Sequence, residues 1–230
     1  MVNKRSKEPS VKVLARQEKI KAVALELFLT KGYTKTSLSD IIKISGGSYS
    51  NIYTAYKNKE GLFFEILNDV CKRHFELLNS KIKESESEKL EDILYHFGLT
   101  YVEIFNQKQT TTFGKIIYSQ VYNEDKNLEE WIKNNERNFA HNILVSCFQN
   151  QANGYFKTNA EKLATLFCTM LREPYHTLNI LIDTKVMSKK EQKKHVNFVV
   201  ELFLNKVMSK KEQKKHVNFV VELFLNGVKR

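Results

Sequence analysis

Three polar residues in a row, Tyr49, Ser50 and Asn51, follow a pair of glycines and open a short amphipathic stretch. Carried on the exposed start of a helix, such side chains can read the edges of bases. An Asn amide pairs in bidentate fashion with adenine, which is worth ~1–3 kcal/mol of discrimination. The neighbouring residues supply the elements that would present them. Ser37 and Asp40 have capping-box spacing and start a helix whose apolar side is Leu38, Ile41 and Ile42. Ser45-Gly46-Gly47 is a tight turn, because paired glycines supply backbone angles that a helix interior disfavours. Ser48 then caps a second helix, Tyr49 to Tyr56, with Ile52 facing inward. Two short helices joined by a glycine turn make a helix-turn-helix, whose second helix enters the major groove of duplex DNA. The same glycines weaken helix initiation by ~1 kcal/mol, so this second helix is expected to fray when no DNA holds it.

Residues 32–63 also resemble the DNA-binding motif of TetR-family repressors. Thr36-Ser37 before the second helix, Ser48 at the third, and Tyr53 followed by Lys59-Glu60-Gly61-Leu62-Phe63 recur there in this order. The stretches Phe113 to Tyr122 and Leu166 to Leu171 extend the resemblance over nearly the whole chain, towards repressors of tripartite multidrug-efflux pumps. The resemblance implies an all-α fold, with an N-terminal three-helix DNA-binding domain and a larger C-terminal helical domain for ligand binding and dimerisation. It implies a homodimer on double-stranded operator DNA with an inverted repeat, released by an amphipathic small-molecule effector, with no cofactor and no metal. By position in the motif it places phosphate contacts at Thr36, Ser37, Ser48, Tyr53 and Lys59. Lys59 would add its charge to the dipole of the helix it begins. Two readings stay open for Tyr53, phosphate contact or packing of the small core, while Ser48 can serve as a cap alone and Tyr56 reads as core. Three residues depart from the pattern. Gly47 stands for an aliphatic core residue, Ser50 for a Gly, and Ala55 for an aromatic or His that touches phosphate.

Charge agrees with a polyanionic partner. The chain carries a formal net charge of +11, and residues 1–62 hold twelve Lys or Arg against five Asp or Glu. A basic surface alone says little, but joined to a helix-turn-helix it argues for DNA. No apolar run approaches the ~20 residues needed to span a bilayer, and the charged N-terminus lacks the apolar core of a secretory signal. Cys71, Cys147 and Cys168 are odd in number and widely spaced, which suits reduced thiols in a cytoplasm.

The rest of the chain reads as helix, since no segment sustains period-two alternation. A polar arm at residues 1–10 precedes an amphipathic helix carrying Ile20, Val23, Ala24, Leu27 and Phe28, which stops at Gly32. A long helix starts near Asn58, presents Leu62, Phe63, Ile66, Leu67 and Val70, and runs to about Lys83, connecting head to body. Further helices are expected at 89–106, 112–123, 127–152 and 159–183, separated by polar breaks. The domain boundary falls at 62/63, giving a DNA-binding domain over 1–62 and a ligand-binding and dimerisation domain over 63–230. Residues 185–205 and 206–226 are identical. Solenoid repeats diverge and come in threes or more, so this pair reads as a recent duplication or an artefact. Each copy offers a Ser cap and a Val/Phe face, and one copy is expected to pack in the native place, which one being undecided.

A ligand-released repressor needs a second site. Phe97, Tyr101 and Phe105 share a helical face at i, i+4, i+8, and Cys168, Arg172 and His176 fall on a polar-flecked face of another helix. An aromatic stripe is more often core than pocket. Facing Arg172 and His176 it is less easily core, since an unpaired buried cation is costly. Pro174 should kink the helix and open a cavity there, and Glu173, being adjacent to Arg172, should pair with it poorly. The resemblance adds Trp131, Phe139 and His141 to the pocket, with Phe113 weaker. An apolar tunnel with a cationic spot suits an amphipathic organic anion.

Competing classes find less support. There is no P-loop, no Gly-x-Ser-x-Gly and no His-Glu-x-x-His, and the histidines are scattered, so an enzyme is not indicated. A thiol redox sensor needs an accessible, acidic cysteine, whereas Cys168 sits among Leu166, Phe167 and Met170. A nonspecific nucleoid protein would have no use for an aromatic, Arg-bearing pocket.

Overall fold

The computed structural model describes residues 10–84, 89–121, 126–135, 140–151, 153–182 and 186–208. These residues contain twelve helices and no strand. In order they are α1 (Val11–Thr30), α2 (Leu38–Ser45), α3 (Tyr49–Tyr56), α4 (Lys59–Glu84), α5 (Leu90–Phe105), α6 (Lys108–Val121), α7 (Lys126–Asn135), α8 (His141–Gln149), α9 (Gly154–Thr158), α10 (Ala160–Arg172), α11 (Tyr175–Ile182) and α12 (Lys189–Met208). The chain divides into two compact units, Met1–Arg73 with Thr112–Glu136, and His74–Thr111 with Arg137–Arg230.

In the first unit the helical spacing read from the sequence becomes a small core. Ile20, Ala24 and Phe28 of α1 meet Ile41 of α2, Ile52 of α3 and the Leu62, Phe63, Ile66, Val70 face of α4, all buried. Phe63 is the hub, with ring centroids 6.1 Å from Phe28, 5.3 Å from Tyr33 and 5.9 Å from Phe113. Phe113, expected at the edge of a ligand pocket, is instead part of this core because α6 lays its apolar face against α4. Outside the core, Lys21 pairs with both Glu18 and Asp69.

The second unit is built around α10. Its buried Leu163, Ala164, Phe167 and Leu171 pack among Leu94, Phe97 and Val102 of α5, Leu144 and Phe148 of α8, and Val196, Val199, Val200 and Phe203 of α12. The first of the two identical 21-residue copies therefore fills the core position. Its helix starts with Ser188, whose Oγ accepts from the Glu191 N–H at 3.3 Å while the Ser188 N–H donates to the Glu191 carboxylate at 2.7 Å. Asn106 clamps the entry to this helix by exchanging two hydrogen bonds with the Met187 backbone, at 2.7 and 2.9 Å.

Several helix boundaries differ from the sequence reading, α6 beginning at Lys108 rather than 112. The helix expected over 127–152 is two helices, α7 and α8, with residues 136–139 between them outside the described residues. The break expected over 150–159 holds α9, because Asn153 accepts from the Tyr155 N–H at 2.9 Å and caps it. Pro174 does more than kink one helix. It forces Glu173 to extended angles (ψ 150°) and separates α10 from α11.

Two substitutions test this packing. Phe203→Ala removes a buried ring between Phe148 (5.8 Å) and Phe167 (4.9 Å) and should cost ~3–5 kcal/mol. At Gly98 of α5 a Cβ would lie 2.8 Å from Val196 Cγ1 and 3.3 Å from Leu171 Cδ2, so Gly98→Val should cost ~1–3 kcal/mol by overpacking. Urea unfolding of each variant checks both; equal stability of Gly98→Val and the parent would contradict the close α5–α12 approach.

Candidate nucleic-acid interface

The helix-turn-helix forms as its caps direct. Ser37 Oγ accepts from the Asp40 N–H at 3.1 Å, and Asp40 Oδ2 accepts from the Ser37 N–H at 3.0 Å. Lys31 reaches Asp40 at 2.8 Å, and this pairing, with the Ser37 hydrogen bonds, holds the Asp40 carboxyl far below the usual carboxylate range. Gly46 and Gly47 take φ 75° and 101°, the left-handed angles only glycine adopts cheaply. A Cβ at Gly47 would also press on Asn51 Oδ1 at 3.0 Å, which explains why an aliphatic residue is missing there. Despite the glycines, α3 is a complete helix with its own capping box. Ser48 Oγ accepts from the Asn51 N–H at 3.4 Å, and Asn51 Oδ1 accepts from the Ser48 N–H at 2.9 Å. This reciprocal cap answers the expected fraying, since it satisfies two orphan donors of the first turn.

The faces of α3 are sharply divided. Ile52 is fully buried, and Tyr56 is 8% exposed with its hydroxyl donating to the Gln17 carbonyl at 3.3 Å. Burial pushes the Tyr56 phenol up to about 12. Tyr49 and Tyr53 are 59% and 73% exposed, and Ser50 and Thr54 are exposed beside them. The core-packing reading of Tyr53 is thus set aside: its ring projects away from Ile52.

Two of the phosphate contacts expected from the motif are otherwise engaged. Thr36 is buried, 1% exposed, and its hydroxyl donates to the Gly32 carbonyl at 2.8 Å, closing the α1–α2 turn from inside. Lys59 Nζ donates to the Tyr33 and Thr36 carbonyls, both at 3.1 Å, and lies 4.4 Å from the Tyr33 ring centroid. Burial lowers its pKa. Lys59 thus braces the turn across the start of α4, and the charge is spent on backbone carbonyls rather than held out to solvent. Asn51, expected to read a base, has its carbonyl oxygen committed to the cap, whereas Ser37 and Ser48 combine exposure with their capping role.

Sequence reasoning passed over the joint between α3 and α4. Lys57 takes φ 67°, Asn58 Oδ1 caps α4 by accepting from the Gly61 N–H at 2.7 Å, and a Cβ on Gly61 would stand 2.0 Å from the Tyr56 carbonyl oxygen. The signal was a glycine within an otherwise helical run. Arg16 of α1 also escaped notice; its Cδ comes within 3.8 Å of the Cβ position at Gly47, bringing an exposed cation to the turn.

In the second unit, Phe105, Arg172 and His176 line one crevice together with Val102, Leu171 and Tyr175, with a free volume of about 10 Å3. The open cavity expected at Pro174 is not what packing leaves there. Phe97, Tyr101 and Cys168 lie in the core behind it, 0%, 4% and 6% exposed, with Tyr101 bridging by ring contacts to Phe97 (5.5 Å) and Phe105 (4.6 Å). Arg172 does pair with Glu173, Nε to Oε1 at 3.0 Å, because the extended backbone at Glu173 turns its carboxylate back. The Arg172 guanidinium is 5.8 Å from the Phe105 ring centroid. His176 meets that ring edge-on at 4.8 Å, and its Nδ1 is buried with no partner among the described residues. Burial, then the nearby Arg172 charge, lowers its pKa. His141 is half-buried at the start of α8, Trp131 belongs to the first unit, and Phe139 lies outside the described residues. Burial raises the thiols, Cys71 to about 11 and Cys168 to about 12, with Cys147 also raised; none is an acidic, reactive cysteine. Among the described residues no group of three His, Cys, Asp or Glu could hold a metal ion, and no helix is long and apolar enough to cross a membrane.

Known proteins share these features to different extents. Residues 20–66 match the model for bacterial regulatory proteins of the tetR family. Over 52 residues, 23% of this chain, the sequence is 48% identical to the HTH-type transcriptional regulator QacR of Staphylococcus aureus. Over 87 residues, 38% of this chain, it is 30% identical to the HTH-type transcriptional repressor ComR of Escherichia coli. These matches span only 28% and 41% of the relatives' own lengths. The fold extends the likeness further: a crystal structure of a TetR-family transcriptional regulator from Mesorhizobium loti superposes with a TM-score of 0.72 at 20% identity, over 85% of this chain and 98% of that one. Residues 20–66 thus carry a tetR-type helix-turn-helix, and the all-α fold of the described residues is like that of the Mesorhizobium loti regulator.

The two classes of motif residue should separate experimentally. Lys59→Met removes the donor to two carbonyls and should cost ~1–2 kcal/mol of stability, whereas Tyr53→Ala, at an exposed position, should stay within about 0.5 kcal/mol. Thermal melts followed by circular dichroism check this; a Lys59→Met melt identical to the parent would return Lys59 to the role of a free cation.

Proposed function

We propose that the whole chain is a TetR-family transcriptional repressor acting in the cytoplasm as a homodimer, released from its operator by an amphipathic small molecule. The observation that carries the reading is α3 itself. It is capped at its start, seated by Ile52 and Tyr56, and presents Tyr49, Ser50, Tyr53 and Thr54 outward from the tetR-type motif. A helix so held can enter a major groove without first being ordered, and Ser37 and Ser48 stand where exposed hydroxyls meet phosphates. Asn51 then supports recognition through the cap more than through a base. A multidrug-efflux operon as the target is part of this reading, from the resemblance of Phe113 to Tyr122 and Leu166 to Leu171 to repressors of tripartite efflux pumps.

Dimerisation is supported by apolar side chains that the second unit does not cover. Leu166, Leu181, Ile182 and Phe198 are 48%, 66%, 67% and 62% exposed, with Tyr175 and Leu178 also exposed. Large apolar residues concentrated on α10, α11 and α12 suit a self-complementary interface.

For the effector, the crevice at Phe105, Arg172 and His176 combines an aromatic wall, a guanidinium half satisfied by Glu173 and an unpartnered imidazole nitrogen. With room for about one water, it admits an organic anion only by parting α5 from α11. Binding and rearrangement are then one event, which is the differential interaction that release from DNA requires.

Footprinting on DNA upstream of the regulated genes should show an inverted repeat with half-sites a helical turn or more apart, Tyr49→Ala flattening the preference; an asymmetric footprint would contradict two symmetric heads. Light scattering should give twice the 26.9 kDa chain mass, and Leu181→Glu with Phe198→Glu should halve it. Anions should bind more tightly as pH falls through the depressed His176 pKa, below 6.5, because the imidazolium then adds to Arg172. The folded state disfavours that same protonation, so this group's contribution to stability should fall as pH drops from the ordinary imidazole range through the depressed His176 pKa, and level off below it. Arg172→Ala should weaken anions more than neutral ligands of like shape; equal losses would make Arg172 structural.

A further inference from the structure

We propose that the first unit carries a binding site of its own for a small planar organic cation, against the joint that holds α3 on α4. A groove of about 300 Å3 lies between the joint residues Tyr56, Lys57 and Asn58 and the face of α7 bearing Glu130 and Trp131. That volume matches the lower range of small-molecule sites. Trp131 is held in a fixed pose. Its ring stacks on Phe64 at 5.9 Å with an 8° interplanar angle, and its indole N–H donates to Asn68 Oδ1 at 2.7 Å. The ring is half-buried, and part of its surface lines the groove. An indole is the strongest aromatic partner for a cation. The ionisable side chains on the lining are Glu60 and Glu130, two carboxylates, against the single ammonium of Lys57 and the Tyr56 phenol. Asn58 and Asn134 add amide dipoles. A fixed indole face beside the exposed Glu130 carboxylate favours a flat cation over an anion, the opposite preference to the crevice at Arg172.

The position gives the site a consequence. Lys57 holds φ 67° and donates its N–H to the Tyr53 carbonyl at 3.0 Å, while the Asn58 N–H donates to the Tyr56 carbonyl at 2.8 Å. These bonds set how α3 leaves α4, so an occupant of the groove bears on the recognition helix within the same unit. This regulatory role rests on the DNA-binding reading, whereas the binding site does not.

The test is a titration of the 15N-labelled full-length protein with 1-methylquinolinium, with quinoline as its neutral counterpart. The chain has a single tryptophan, so one indole N–H resonance reports the groove. The Trp131 indole and the Lys57, Asn58 and Gly61 amides should shift together and saturate, with a dissociation constant on the order of 100 μM. Quinoline should bind at least about fivefold more weakly, having no cation–aromatic attraction. Glu130→Gln, at an exposed position where folding tolerates change, should weaken the cation about threefold, and Glu130→Lys more. An unmoved indole at about 1 mM ligand, equal affinity for both compounds, or indifference to Glu130→Lys would overturn the site. DNA binding measured on the same samples distinguishes that failure from failure of the repressor reading.

Discussion

The backbone carbonyl of Tyr56 rests against the Cα of Gly61, so closely that a methyl group on Gly61 would stand 2.0 Å from the oxygen. Most of the first unit is arranged around that contact. It seats the last turn of α3 on the first turn of α4, and it requires the chain to reverse within Lys57 and Asn58, hence the positive φ of one and the capping side chain of the other. The reversal also aims Lys59 back across the start of α4, where its ammonium gathers the carbonyls of Tyr33 and Thr36. The α1–α2 turn, α3 and α4 are thereby joined through a few backbone groups as well as through the core around Phe63. A small helical domain buries a limited fraction of its surface, and charge-assisted hydrogen bonds to carbonyls add to the ring contacts that Tyr33 makes with Phe28 and Phe63 in fixing this turn.

Local features of this arrangement were legible in the sequence because their causes are local. The Ser37-Asp40 box and the Ser48 cap fix the starts of α2 and α3 at the residues read from the text, although Asn51, read as facing a base, closes a second box with Ser48. The inward faces of α1, α3 and α4 followed from helical spacing in the same way. What escaped depends on partners far along the chain. Thr36 and Lys59 look like solvent-facing phosphate ligands until the α1–α2 turn, 23 to 26 residues from Lys59, closes over them. Arg172 and Glu173 are adjacent and so were expected to diverge, yet the backbone turn imposed by Pro174 brings them together. Phe113 belonged to the wrong unit in the sequence reading because nothing local says which core α6 joins.

The identical copies near the C-terminus show the same limit from another side. Their residues are interchangeable, so only tertiary contacts distinguish them. Asn106 with Met187, Glu103 with Lys189, and the approach of Val196 to Gly98 all belong to the first copy. The body that results is dense, with Phe203 in ring contact with Phe148, Phe156 and Phe167. A core of this kind resists gradual deformation and instead repacks between discrete arrangements.

The division of duties along α3 bears on how such a protein evolves. Ser48, Asn51, Ile52 and Tyr56 hold the helix, while Tyr49, Ser50, Tyr53 and Thr54 point outward with no part in holding it. Exposed positions of that kind accept substitution at little cost in folding. Those four residues can therefore be exchanged one at a time without passing through an unstable protein. A helix divided in this way keeps its seat whatever its outward face becomes, so fold and surface can change independently.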